Sequence, residues 1–249
     1  VWKDGITLWS DALKNYPSVT AYNSRGTMFF KKGQYEKAYD DFIQGIKIGY
    51  ADKHIFKNQA YFHTDLLHAI VNLANVQDAL GKKEDAIATL KKAIELNPYY
   101  ADPYFNLGTI YYSLGEKDKA VALFKMAIEK EPNNPGAYYA LGAIYDHAGN
   151  KEESLKWYWK ATEIDSTYVE AYNNLASIYA EKGQTDKAIE VWNRIIEINP
   201  DFAIAHFNLA KAYFYQKKYD LAIYHCDKVL KLGNQVDPKF LDALKPHRK

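Results

Sequence analysis

Small residues followed three places later by an aromatic recur along this chain: Gly108 with Tyr111, Gly142 with Tyr145, Ala176 with Tyr179, Ala210 with Tyr213, each step 34 residues long. A second small residue returns in the same register at Ala86, Ala120, Ser154, Ala188 and Ala222. Tyr104, Leu107, Gly108 and Tyr111 are spaced as one stripe of a helix, and Ala120, Phe124 and Ala127 form the matching stripe of a second. Small residues where the stripes cross let two backbones approach, and aromatics fill the space around them. Gly81, Gly115, Gly149 and Gly183 fall between the stripes and suit left-handed helix caps. Pro98, Pro132 and Pro200 follow the second stripe and stop it. The pattern therefore predicts helix pairs repeated at a fixed period. A lone pair cannot bury both of its faces, so neighbouring pairs must stack.

The run Tyr104–Leu107–Gly108–Tyr111–Ala120–Phe124–Ala127–Pro132 resembles the tetratricopeptide-repeat (TPR) signature, with tyrosine where tryptophan is usual. The resemblance implies an all-α fold, a right-handed superhelical solenoid of antiparallel helix pairs forming one domain over 1–249. In that register the repeats run 19–52, 67–100, 101–134, 135–168, 169–202 and 203–236. Several places depart from the pattern. Arg25 stands where leucine is usual, Gln77 replaces the aromatic, Cys226 takes the large core position and Lys217 falls where glycine would.

Trp2, Ile6, Trp9 and Leu13 follow helical spacing before Pro17, so 1–18 reads as the second half of an earlier repeat. Its apolar stripe would be a surface for self-association. Residues 53–66 are an insertion after the first repeat and contain Ile55, Phe56, Tyr61 and Phe62. Two readings stay open there: a loop with an N-terminal extension of the next helix, or a segment making a specific contact. Asp237 and Pro238 form a helix start, and Phe240, Leu241 and Leu244 give it an apolar face. Residues 237–249 are thus a capping helix with a solvated basic tail.

Composition narrows the chemistry. There are 32 basic and 31 acidic residues, and a net charge of +1 gives no overall field for nucleic acid. The single cysteine, Cys226, can neither close an intramolecular disulfide nor build a cysteine zinc cage. No apolar run is long enough to span a membrane. Of the seven histidines only His63 and His68 lie close in sequence, five residues apart and poorly placed for one metal, while His206 falls on a packing position. No phosphate loop or hydrolase motif is present. The expectation is a non-enzymatic chain with no cofactor and no metal site.

The 22 tyrosines and 11 phenylalanines need a structural explanation before a functional one, and the repeat supplies it. Positions two, five, six, nine, twelve and thirteen of each first helix lie on a separate face, which the resemblance implies is the concave groove. Position six carries Asn72, Asn106, Asn174 and Asn208, with Ala140 interrupting the series. Asparagine costs about 0.5 kcal/mol in a helix relative to alanine, so its recurrence needs a reason. A carboxamide can donate to and accept from a peptide backbone at once. The series resembles the asparagine ladder in the TPR region of the O-linked N-acetylglucosamine transferase family; inheritance through repeat duplication is the competing explanation. Phe105, Tyr112, Tyr139, Phe207, Phe214 and Tyr215 occupy other groove positions and could anchor a ligand or pack on their neighbours. Lys31 and Lys211 form no close basic pair, which argues against a clamp for a chaperone's C-terminal carboxylate.

The expected function is a protein-interaction module holding an extended peptide or partner segment. Two alternatives remain. The run VWKDGITLWSDALKNYPS, followed by AYNSRG, is similar to the start of TPR regions in some membrane-embedded glycosyltransferase-like proteins. That likeness implies an accessory region selecting substrates or organising assembly, with this piece as the soluble part of a membrane protein. A structural oligomerisation scaffold is the other.

Overall fold

The computed structural model describes residues 4–51 and 64–248. Fourteen α-helices and no strand occur among the described residues. They fall into two compact units, Val1–Pro132 and Asn133–Lys249.

The first unit holds α1 (Gly5–Asn15), α2 (Val19–Lys31), α3 (Tyr35–Ala51), α4 (Thr64–Ala79), α5 (Lys83–Leu96), α6 (Asp102–Ser113) and α7 (Lys117–Lys130). The second holds α8 (Pro135–His147), α9 (Lys151–Ile164), α10 (Val169–Glu181), α11 (Thr185–Ile198), α12 (Ala203–Tyr215), α13 (Tyr219–Lys231), α14 (Pro238–Leu244) and a 3₁₀ turn (Lys245–His247). In each unit consecutive helices pack as pairs, and each pair packs on the next. Residues 53–63 of the expected insertion, Trp2, His54 and His63 lie outside the described residues. Thr64–Leu66 already belong to α4, where Leu66 is fully buried.

The pairing follows from what crosses between helices. A Cβ on Gly26 would lie 2.7 Å from the Phe42 ring, on Gly108 3.0 Å from Phe124, and on Gly142 2.6 Å from Tyr158. Glycine thus leaves the room that a facing phenylalanine or tyrosine ring occupies. Where the facing residue is Leu90 or Cys226, the small position is Ala74 or Ala210, and all four are buried. Cys226 is thereby a core filler matched to Ala210 rather than a reactive thiol; burial raises its pKa. Ala176 with Trp192 is the one pairing of alanine with a large ring.

Between the helices of each pair the turn glycine adopts a left-handed conformation, and Lys217 does so at φ 59° where the others are glycine. Arg25 departs from leucine for a local reason. Its guanidinium donates to both oxygens of buried Asp41, at 2.7 and 2.8 Å, and to Ser10 Oγ at 3.2 Å, tying α3 and α1 to α2. Asp237 caps α14 by accepting from the Lys239 amide at 2.9 Å, and Leu244 is fully buried. The tail beyond is more engaged than its composition suggests: His247 stacks on Tyr219, and Arg248 donates twice to Asp227.

Candidate functional site

The position-six asparagines are all half-buried, but they do not share one state. In the first unit, Asn72 Nδ2 donates to Asn23 Oδ1 at 2.8 Å. In the second, Asn174 Nδ2 donates to the hydroxyls of Tyr158 at 3.0 Å and Tyr139 at 3.3 Å. Asn23 and Tyr139 both stand at position five of the preceding repeat. That position is Val71 before Asn106, which offers no hydrogen-bonding side chain. Before Asn208 it is Asn173, whose Oδ1 is buried and unpartnered. The side chains of Asn106 and Asn208 make no hydrogen bond among the described residues. The engaged asparagines thus find their partners one repeat back, and the open ones do not.

Most of the expected aromatic anchors are committed to packing. Phe105 lies 5.5 Å from Phe124. Tyr139 packs on Tyr158 and Tyr168 at 5.4 and 5.2 Å. Phe207 and Phe214 meet Phe240 edge-on at 6.1 and 5.4 Å, fastening α14 to α12. Tyr112 is half-buried, and burial raises its pKa. Tyr215 is the exception at 80% exposure.

Asn208 and Tyr215 come together at a cleft of about 380 Å³ in the second unit. α10 supplies Ala180 and Glu181, α12 supplies Asn208, Lys211 and Tyr215, and α11 supplies Trp192. Asn208, Lys211, Ala212 and Tyr215 are spaced as one stripe of α12. Glu181 is already paired with Lys151 at 2.7 Å. Lys211 sits 5.0 Å from the Phe207 ring centroid and forms no ion pair among the described residues. The indole Nε1 of Trp192 is buried without a partner. Beyond Tyr215 a second hollow passes Thr185 and Gln216; Gln216 Nε2 donates to Asp186, and its Oε1 is buried and unpartnered.

Sequence reasoning missed Trp192 at this site because it occupies the large core position. The signal was the alanine at 176 opposite a residue too large for the pairing rule. It also missed a second polar cluster. His206 stands where Tyr104 stands in its own repeat, and the two do the same work. Tyr104 donates to the Pro98 carbonyl at 3.0 Å, and His206 Nε2 to the Pro200 carbonyl at 2.9 Å. His206 Nδ1 then meets His225 Nδ1 at 2.9 Å, with both rings buried. Nineteen residues separate them, across a helix pair, so adjacency in the chain was the wrong test. Among the described residues no group of three or more His, Cys, Asp or Glu is placed to hold a metal ion.

TPR repeat models match residues 78–115, 108–146 and 176–217, and further tetratricopeptide-repeat models match 135–168, 157–190 and 203–233. Together they run unbroken from 78 to 233. The chain belongs to the tetratricopeptide-repeat family. Among solved structures it is similar to MamA, at 25% identity over 65% of this chain and 94% of that one, TM-score 0.58. It is also similar to YrrB, described as a TPR protein with an unusual peptide-binding site, at 24% identity over 72% and 90%, TM-score 0.55. The C-terminal part of a TPR repeat-containing protein from Cytophaga hutchinsonii matches at 18% identity over 96% and 93%, TM-score 0.64. A comparison with curated proteins finds no match. The TPR fold is all-α and supports a role as a protein–protein interaction module. No helix among the described residues is long and apolar enough to cross a membrane.

Proposed function

We propose that this chain is a non-enzymatic interaction module, and that its C-terminal unit holds an extended segment of a partner protein in the cleft between α10 and α12. The observation that carries the reading is the open Asn208 carboxamide beside the exposed Tyr215 at a cleft of about 380 Å³. A carboxamide without an internal partner can bond the N–H and C=O of one peptide unit, and a rigid aromatic adds contact area at little entropic cost. Asn106 is open in the same way in the N-terminal unit and would add a second backbone contact there. Asn72 and Asn174 are spent on Asn23 and on Tyr139 with Tyr158, so they contribute less to binding. The description of YrrB as having a peptide-binding site supports this use of the fold.

The test is selection from a displayed library of random ten-residue peptides, followed by fluorescence anisotropy with the enriched peptides. Asn208→Ala and Tyr215→Ala should each weaken binding about ten-fold, corresponding to about 1.4 kcal/mol, without changing the circular dichroism. Unchanged affinity in both variants would refute the reading.

A second reading, self-association through the N-terminal half repeat, rests on α1. It packs on α2, yet none of its residues is buried, and Ile6, Leu8, Trp9 and Leu13 stay half-exposed. Sedimentation that is independent of concentration would count against it.

A further inference from the structure

Across the repeats, position nine of the first helix is Thr27, Asn75, Thr109, Ala143 and Ser177, and then Lys211. A charge appears at this register once, and it lines the α10–α12 cleft. We propose that this cleft selects its partner segment by an acidic side chain, whose carboxylate is held by Lys211 and Asn208 while a neighbouring apolar side chain seats against Ala180, Ala212 and Trp192. The inference rests on the cleft being the binding surface and names what it reads.

Charge complementarity chooses the occupant. Glu181 on the rim has its carboxylate on Lys151, and Asp186 accepts from Gln216. Lys187, beside the second hollow, lies 5.5 Å from the Tyr179 ring centroid. The groups left without an ion pair or side-chain hydrogen bond at the cleft are therefore the Lys211 ammonium and the Asn208 amide. Asn208 and Lys211, three residues apart on one helix, are surface neighbours and can share one carboxylate. A basic segment would meet the Lys211 ammonium, while the carboxylate of Glu181 on the rim is held by Lys151. The Lys211 ammonium rests 5.0 Å from the Phe207 ring centroid, a contact that leaves its charge unneutralised beside the cleft. Beneath it, Ala180 and Ala212 leave room, and Trp192 supplies an apolar wall.

The experiment uses the same displayed ten-residue library, with every peptide carried forward made C-terminally amidated so that only side-chain carboxylates are present. Enriched peptides should carry an excess of Asp and Glu over Lys and Arg. In the best binder, changing the acidic residue to its amide should weaken binding to the wild type about five-fold, the upper range for an exposed ion pair. That preference should shrink at 0.5 M salt by screening. Lys211→Met, at an exposed position and with its apolar stem kept, should bind the acid and amide peptides equally. Lys211→Glu should invert the preference. Peptides that depend on Asn208 and Tyr215 but show no difference between acid and amide would overturn the inference while leaving the cleft reading standing. Binding indifferent to Asn208 and Tyr215, or no enrichment at all, would overturn both.

Discussion

Acidifying this protein should loosen its last helix pair well before its carboxylates titrate, and the buried histidine pair sets the size of the effect. The Pro200 carbonyl can only accept, so His206 Nε2 carries a proton. Neutral His206 then offers a lone pair at Nδ1, and His225 must donate from its own Nδ1 across 2.9 Å. One proton occupies that link. The Tyr213 ring stacks on His225 at 5.7 Å, and the Tyr224 ring meets it edge-on at 5.0 Å. No ion pair to a carboxylate involves either imidazole among the described residues. Burial first, and His206 second, push the His225 pKa down from 6.5 to about 4.

A histidine whose folded pKa lies below its unfolded value gives stability that is complete above pH 6.5 and lost as pH falls toward 4. The full difference amounts to about 3 kcal/mol, and about 2 kcal/mol of it disappears between pH 7 and pH 5. The assay is hydrogen exchange of α12 and α13 amides, together with urea midpoints at both pH values. His225→Gln removes the titrating group and keeps an N–H able to donate to His206. Carboxylates whose pKa is lowered on the surface, such as Asp165 and Glu152, act at lower pH and in both proteins alike. The wild type should therefore lose about 2 kcal/mol more than the variant over this interval. Equal losses would show that the pair does not govern acid sensitivity.

Two further predictions concern the helix pairs. Gly142→Ala puts a Cβ 2.6 Å from the Tyr158 ring and should cost about 2 kcal/mol by overpacking. Adding Tyr158→Leu, which copies the natural pairing of Ala74 with Leu90, should recover part of that loss in a double-mutant cycle read by urea unfolding. Arg25→Leu restores the residue usual at its position but strands the buried Asp41 carboxylate, so it should cost about 3 kcal/mol. Arg25→Leu with Asp41→Leu should regain most of it, and a double variant no better than the single would contradict the pairing.

The fold was legible because the repeat writes its packing into spacing. A glycine opposite an aromatic, a cap glycine and a terminating proline each have a single mechanical use, and each recurs at the same interval. What stayed hidden were substitutions whose meaning lies in a partner elsewhere in the register. Arg25 reads as a defect until Asp41, sixteen residues on, is seen to take two of its three hydrogen bonds. Cys226 reads as too small until Ala210 is seen to fill the difference. His206 reads as a lost tyrosine until its Nε2 is found on the same proline carbonyl that the tyrosine of another repeat uses.

The site was legible only in outline for the same reason. Four asparagines at one register position look equivalent in sequence, and a ladder built from them would bind evenly along its length. Their availability instead varies with what position five carries one repeat back and with whether that group reaches the carboxamide. Asn23 and Tyr139 can, and they hold Asn72 and Tyr158-bonded Asn174; Val71 cannot; Asn173 leaves Asn208 open while its own oxygen is buried unpartnered. A polar position that recurs along the array is therefore engaged or left open according to the residue at a neighbouring groove position. In this chain the open asparagine of the second unit coincides with the repeat that also gained Lys211 and the exposed Tyr215. On the proposed reading, binding specificity in such an array depends on the particular step between two repeats, here the one joining α10 to α12, rather than on the repeat motif as a whole.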